Sequence, residues 1–327
     1  MIETRRAWLA FALASLFAGA PAVQAQAQDF PGRPVKIVVP LPPGGTPDFA
    51  ARQLAGLLAP MWGQPVVVEN KPGAAGNIAA ESVARSAPDG YTLFLIVNFI
   101  PEINPHLYSK LSYDPLKDLQ SITLLGTIPF VLVANPGVPA ASAKDLPAVA
   151  RSRPQGISYA TSGPGSNQHL FAEQMRAATG MPMLHVPYKG GAPAMVDLLA
   201  GVVDISFASV NQVVPHVKAG KLKALGVTGN SRSPLLPQVP TLAEAGFPGF
   251  ENEPWVALSA PAGLPPAVAA RIERDVREVM KRPEVVAALH EQGVTVNTGT
   301  REQLDQRIQA GHASWGRIIK GAQIRAE

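Results

Sequence analysis

Two segments of this chain combine glycine, hydroxyl and turn-forming residues in a pattern suited to holding an anion. The first is Pro40-Leu41-Pro42-Pro43-Gly44-Gly45-Thr46-Pro47-Asp48, and the second is Thr161-Ser162-Gly163-Pro164-Gly165-Ser166-Asn167. Each follows a short apolar run and precedes a helical pattern. A helix start carries unpaired N–H groups and a partial positive charge, so a strand, a Gly-rich elbow and a helix together can cradle an anion with backbone alone. Glycines let the ligand approach that backbone closely. In the first elbow Thr46 is expected as the N-cap and Pro47 as the first helical residue. In the second, Ser166 or Asn167 can cap. Either elbow alone reads equally as an ordinary turn. One in each half, at equivalent places, points to two sides of one grip, with two unrelated turns as the competing reading.

Other chemistries find little support. The chain has neither G-x-x-x-x-G-K-[ST] nor G-x-G-x-x-G, which argues against phosphate and dinucleotide sites. It has no G-x-S-x-G nucleophile elbow. Ser162 with His169 as base is conceivable, but no acid follows to orient the ring, and helix packing explains the spacing as well. The histidines (106, 169, 185, 216, 290, 312) lie singly, without the H-E-x-x-H pattern of a zinc site, and His185 reads as a core residue. No cofactor and no metal is implied, and an enzyme is not expected. Neither elbow contains Arg, so no bidentate Arg clamp is offered. Lys71 and Lys189 are expected to reach solvent. Backbone N–H groups, hydroxyls and bridging water would hold a carboxylate instead.

The elements that must position these elbows follow from periodicity. Val35–Val39 and Val66–Val68 read as buried strands. Ala50, Leu54, Leu57 and Leu58 recur at helix spacing. A further Gly-rich elbow, Asn70 to Asn77, leads into a helix ending near Ser86, and Tyr91–Val97 is a third strand. Gly126–Val133 reads as one β-rich run. Strand and helix then alternate from Ser158 to Val227, with a helix over 166–179. Ser231–Phe250 is a long Pro/Gly/Ser-rich connection and Trp255–Ser259 returns to β. Two helices are expected at the end: one from Pro266 stopping before Pro283, and one opened by the capping box Thr300-Arg301-Glu302-Gln303. Strands alternating with helices predict mostly parallel sheets. The two crossovers predict two lobes, 28–128 with 251–327 and then 129–250, separated by a cleft.

Residues 1–27 are read as a secretory signal peptide: Arg5 and Arg6, then an apolar stretch too short to span a bilayer, then small residues. Thr4-Arg5-Arg6-Ala7-Trp8-Leu9 leaves Sec and twin-arginine export both open. The chain has 327 residues, no cysteine and a net charge of +4. Thiol chemistry and disulfides are excluded. No Lys/Arg run suggests nucleic acid.

Several segments, in order, carry a resemblance. They include Val38–Asp48, Val68-Glu69-Asn70-Lys71-Pro72-Gly73, Ala87-Pro88-Asp89-Gly90-Tyr91-Thr92-Leu93, Ile103-Asn104-Pro105, Tyr159–Gly163, His185–Gly191, Pro215–Lys221 and Pro240–Gly246. Through them the chain resembles the Bug/TctC family of periplasmic solute-binding proteins. That resemblance implies an α/β, type II-like Venus flytrap of two lobes. It implies a monomer that captures a small carboxylate, often through two waters. The partners implied are membrane subunits of a tripartite tricarboxylate transporter, or the periplasmic domain of a sensor kinase. Carried over, the contacts are Pro43, Gly44, Thr46 and Asp48 on one lobe and Thr161, Ser162, Gly163 and Ser166 on the other. Tyr188 and Ser209 complete the expected set, with Asn98, Phe99 and Ala208 choosing among acids. Asp48 reads equally as a first-turn residue favoured by the helix dipole. Two departures matter. Asn98-Phe99-Ile100-Pro101-Glu102 replaces small residues and a Thr-His pair, so Phe99 is either an aromatic wall or a structural residue. Ala208 stands where many members have Asp, which argues against an amino acid ligand.

Overall fold

The computed structural model describes residues 30–325, so the signal-peptide reading for 1–27 falls outside the described residues. The elements among the described residues begin with a five-residue strand, β-branched but for Lys36, β1 (Val35–Val39), then α1 (Thr46–Trp62), β2 (Val66–Asn70), α2 (Asn77–Ala84) and β3 (Thr92–Val97). Ala50, Leu54 and Leu58 turn one face of α1 onto the sheet, and Gly63 stops it with a left-handed φ of 63°. Two single turns follow, α3 (Phe99–Glu102) and α4 (Asn104–Leu107).

The run expected to be continuous over Gly126–Val133 is two strands in two sheets. The first is β4 (Leu119–Thr127) and the second β5 (Phe130–Ala134), with Ile128-Pro129 between them. Pro129 has no N–H to give a ladder, and the chain changes lobes there. The second lobe then runs α5 (Leu146–Arg151), β6 (Ile157–Thr161), α6 (Asn167–Thr179), β7 (Met183–Pro187), α7 (Gly191–Ala200), β8 (Ile205–Ser209), α8 (Val210–Lys218) and β9 (Lys223–Val227). The chain returns through β10 (Trp255–Pro261), α9 (Pro266–Met280), α10 (Pro283–Glu291), β11 (Thr295–Val296) and α11 (Arg301–Gly321). The helix α10 and the short β11 were not anticipated. Pro283 does end one helix, but it also starts the next, as proline can at a first turn.

Sheet one has the order β11-β4-β10-β3-β1-β2 and sheet two β7-β6-β8-β5-β9. Both are mixed, with most strands of each sheet running in one direction and β10 and β11 in sheet one and β5 in sheet two running against them. In sheet one β1 runs parallel to β2 and β3, while β10 runs antiparallel to β3 and β4. In sheet two β6 runs parallel to β7 and β8, while β5 runs antiparallel to β8 and β9. The reversed strands include the one that enters the second lobe, β5, and the one that returns to the first, β10. A chain that leaves a lobe and returns to it has no helix crossover to force parallel pairing.

Each sheet is covered by helices, and α11 serves both lobes. Its Leu304 and Ile308 join the core of sheet one, whereas Trp315 and Ile319 pack with Phe171 and Phe207 beneath sheet two. Ile103, just before α4, is also buried in that second core.

Candidate functional site

The parallel strands of both sheets end towards the space between the lobes, which is where open α/β sheets bind ligands. The first elbow follows β1. Gly45, in extended backbone with no side-chain cap bond, is the N-cap of α1 rather than Thr46, and Thr46 and Pro47 are helical. Asp48 explains the difference. It is buried, and its Oδ2 accepts from the Gly44 N–H at 3.0 Å and from Arg52 Nε at 3.0 Å, while Oδ1 accepts from Asn70 Nδ2 at 2.9 Å. That carboxylate ties down the loop in place of a capping hydroxyl. Burial works against its charge, but the bonds from Arg52, Gly44 and Asn70 outweigh burial and hold its pKa below the usual value. Asn70 also donates to the Leu41 carbonyl at 3.0 Å, so β2 braces the loop after β1.

The second elbow follows β6. Ser166 caps α6, accepting from the His169 N–H at 3.3 Å and donating to the Gly163 carbonyl at 2.8 Å. The Ser162 N–H donates to Gln168 Oε1 at 2.8 Å. His169 Nδ1 accepts from the Gly165 N–H at 3.1 Å, and its ring stacks on His185 with centroids 4.1 Å apart. His185 shares a 2.7 Å hydrogen bond with the Thr161 hydroxyl. Burial, reinforced by His185, pushes the His169 pKa down to about 4. The His169 imidazole is therefore a neutral support under the loop, burial also lowers the pKa of the His185 ring stacked on it, and the His169 ring is spent on backbone rather than on Ser162.

A cavity of about 390 Å³ lies between the lobes, at the small end of the range for small-molecule sites. Among the expected residues, Phe99, Ser162, Ser166 and Ser209 line it. Pro43 and Gly44 are exposed and Thr46 is half-buried, and none of them lines it. Asp48 is occupied as described. Asn98 is buried and reaches across, donating from Nδ2 to Asn167 Oδ1 at 3.3 Å. Thr161 is fully buried and Gly163 shapes the turn with a φ of 123°. The Tyr188 hydroxyl donates to Asp197 at 2.6 Å. Ala208 is buried in the core of the second lobe and does not line the cavity.

Other lining residues escaped the sequence reading. On the first lobe these are Ala75, Asn104, Leu107 and Tyr108, and on the second Phe130, Gln168, Gly191 and Gln212. The elbow at Asn70–Asn77 was visible, but nothing in it announced a site. Ala74 and Ala75 hold left-handed φ angles of 46° and 49°, uncommon for alanine. Asn104 fixes that loop, donating to the Ala75 carbonyl at 2.9 Å and to Asn77 at 2.8 Å.

The electrostatics come from backbone. The N-caps of α6, α7 and α8 are Ser166, Gly190 and Ser209, and Asn167, Gly191 and Ser209 line the cavity. Three helix starts therefore converge on it, each with orphan N–H groups. No Asp, Glu, Lys, Arg or His lines it.

Two α/β lobes with a cavity between them, lined by the second elbow and three helix starts, define a two-lobed binding protein of the periplasmic type. A model described as "Tripartite tricarboxylate transporter family receptor" matches residues 50–324, and the chain belongs to that family. It is 37% identical over 307 residues to Protein BugT of Bordetella pertussis, covering 93% of this chain and 94% of that protein. Among solved structures, an R. palustris protein with adipate matches with a TM-score of 0.79 and 34% identity, covering 90% of this chain and 99% of that one. MatC from Rhodopseudomonas palustris with bound malate matches with a TM-score of 0.73 and 31% identity, covering 89% and all of that chain (100%).

Proposed function

We propose that this chain is a periplasmic receptor that captures a small organic carboxylate in the interlobe cleft and delivers it to a tripartite tricarboxylate-type transporter, without chemical turnover. The observation that carries the reading is the convergence of three helix N-termini on a cavity with no charged side chain. Such a site favours an anion and holds no fixed anion to repel it. The adipate and malate held by two relatives support a carboxylate as that anion. On this reading the lobes divide near residues 128 and 250. The leader at 1–27 directs export, and the protein works as a monomer. The first elbow (Pro43, Gly44, Thr46) contributes when the lobes draw together, with Asp48 keeping its shape.

The test is a thermal-shift series on the purified mature protein with organic acids and their neutral amides. A ligand that binds only the folded state raises the melting temperature by mass action. The reading expects at least one acid to raise it in a concentration-dependent way while its amide does not. A flat response to every acid overturns it.

A further inference from the structure

We infer that the body of the ligand, apart from its one or two carboxylates, is apolar: the cleft selects acids with an aromatic or plain aliphatic body over acids that carry an ammonium or several hydroxyls. This rests on the carboxylate reading above and narrows it.

The two walls of the cavity differ in kind. The second-lobe wall carries Ser162, Gln168, Ser209 and Gln212 around the helix starts, which suits the carboxylate. The first-lobe wall is Phe99, Leu107 and Tyr108, and Phe130 adds an aromatic ring from the second lobe. These apolar side chains are held in place. Phe99 packs against the cores of both lobes. Phe130 lies against Phe171, with ring centroids 5.6 Å apart. Leu107 presses on the second elbow so closely that its Cδ1 sits 2.3 Å from where a Cβ on Gly165 would be. A preformed apolar wall gains from an apolar ligand face by excluding water, and Phe rings add favourable stacking with a ligand ring.

Charge points the same way. An ammonium entering the cavity would lose its water with no carboxylate to face. The carboxylate inside the first elbow is already engaged, Asp48 with Gly44, Arg52 and Asn70, and Asp197 is held by the Tyr188 hydroxyl. Hydroxyl groups on the ligand body would meet Phe99, Leu107 and Phe130, none of which has a hydrogen-bonding side chain. The polar side chains on that side are Asn104, whose amide nitrogen is spent on Ala75 and Asn77, and Tyr108, whose single hydroxyl cannot serve several ligand hydroxyls.

Calorimetric titration of the mature protein with a matched set tests this: adipate, 2-aminoadipate, galactarate (the same chain bearing four hydroxyls) and benzoate. Adipate or benzoate is expected to bind at least about tenfold more tightly than both substituted acids, the factor set by an unpaired polar group in the site. Phe99→Ala and the milder Phe130→Leu are expected to weaken the preferred acid about tenfold, as loss of a buried aromatic anchor does. The melting temperature of each unliganded variant checks that it is folded. Tighter binding of 2-aminoadipate or galactarate overturns the inference and leaves the carboxylate reading standing. Undiminished affinity in both folded variants also overturns it. Failure of every acid to bind overturns both.

Discussion

A carboxylate inside the elbow of an anion receptor looks self-defeating until its partners are counted. Asp48 spends its charge on Arg52, on the Gly44 N–H and on Asn70, so the loop is stiffened and little negative field is left for a ligand. Replacing it leaves those donors without an acceptor. Asp48→Ala is therefore expected to cost about 1–3 kcal/mol of stability, the range for orphaned buried groups. Urea unfolding measures that, and an unchanged midpoint would show that the bonds contribute nothing net. The same residue marks what could be read in advance. The motif placed Asp48 in the first turn correctly, and the Gly/Pro pattern located both elbows. Which of its groups face a ligand was not readable, because that depends on Asn70 from the next strand and on Arg52 one turn along. Ala208 teaches the same lesson: its position in β8 was clear, but the direction of its side chain into the core was fixed by packing.

Among the elements, α3 and α11 meet at the join between lobes. Glu102 ends α3, is 3% exposed, and accepts from Trp255 Nε1 at 2.7 Å. It fits there because position 311 of α11 is glycine, where an added Cβ would lie 2.2 Å from the carboxyl carbon. Burial raises the pKa of Glu102 to about 8, against the opposing bond from Trp255 and the charge of Arg307. The native state then holds a proton between 4.5, the unfolded value, and about 8, where the unfolded chain has lost it. Stability from this group is complete below 4.5 and is lost as pH rises through that window. Glu102→Gln removes the titration, so the variant should gain on the parent by up to about 1.4 kcal/mol per pH unit as pH rises across the window. Unfolding free energies at both ends of the window measure this, and parallel pH slopes for the two proteins would refute it. None of this was legible in Asn98–Glu102, which reads as an irregular stretch. The partners Trp255 and Gly311 come from far along the chain. The capping box at Thr300 was legible because a cap is local, and the structure forms it with Thr300 accepting from the Gln303 N–H at 3.3 Å.

For the molecule as a whole, the last helix packs into the cores of both lobes. Trp315 is buried under sheet two, edge-on to Phe171 at 5.3 Å, while Leu304 on the same helix is buried under sheet one. Trp315→Ala should cost about 3–5 kcal/mol, as large core truncations do. Because that loss falls on one lobe, scanning calorimetry should show one transition in the parent and a second, earlier one in the variant. A single transition merely shifted downward would mean the lobes are coupled by more than this helix. Two sheets with a cleft were foreseeable from the alternation of strands and helices. The sharing of α11 was not, since its apolar stripe looks the same whether it faces one core or two.

The central place of β10 in sheet one has a consequence for how the protein is born. Its Val256 pairs with Val97 and its Trp255 with Thr127, so the strand that joins β3 to β4 is synthesised long after both of them. Until it arrives, the early half of the first lobe has open strand edges and no finished core, and such distant pairings form slowly. The growing chain therefore stays pliable until translation is nearly over. Closure of the first-lobe sheet is a late step, taken only once the last strand and helix have been made.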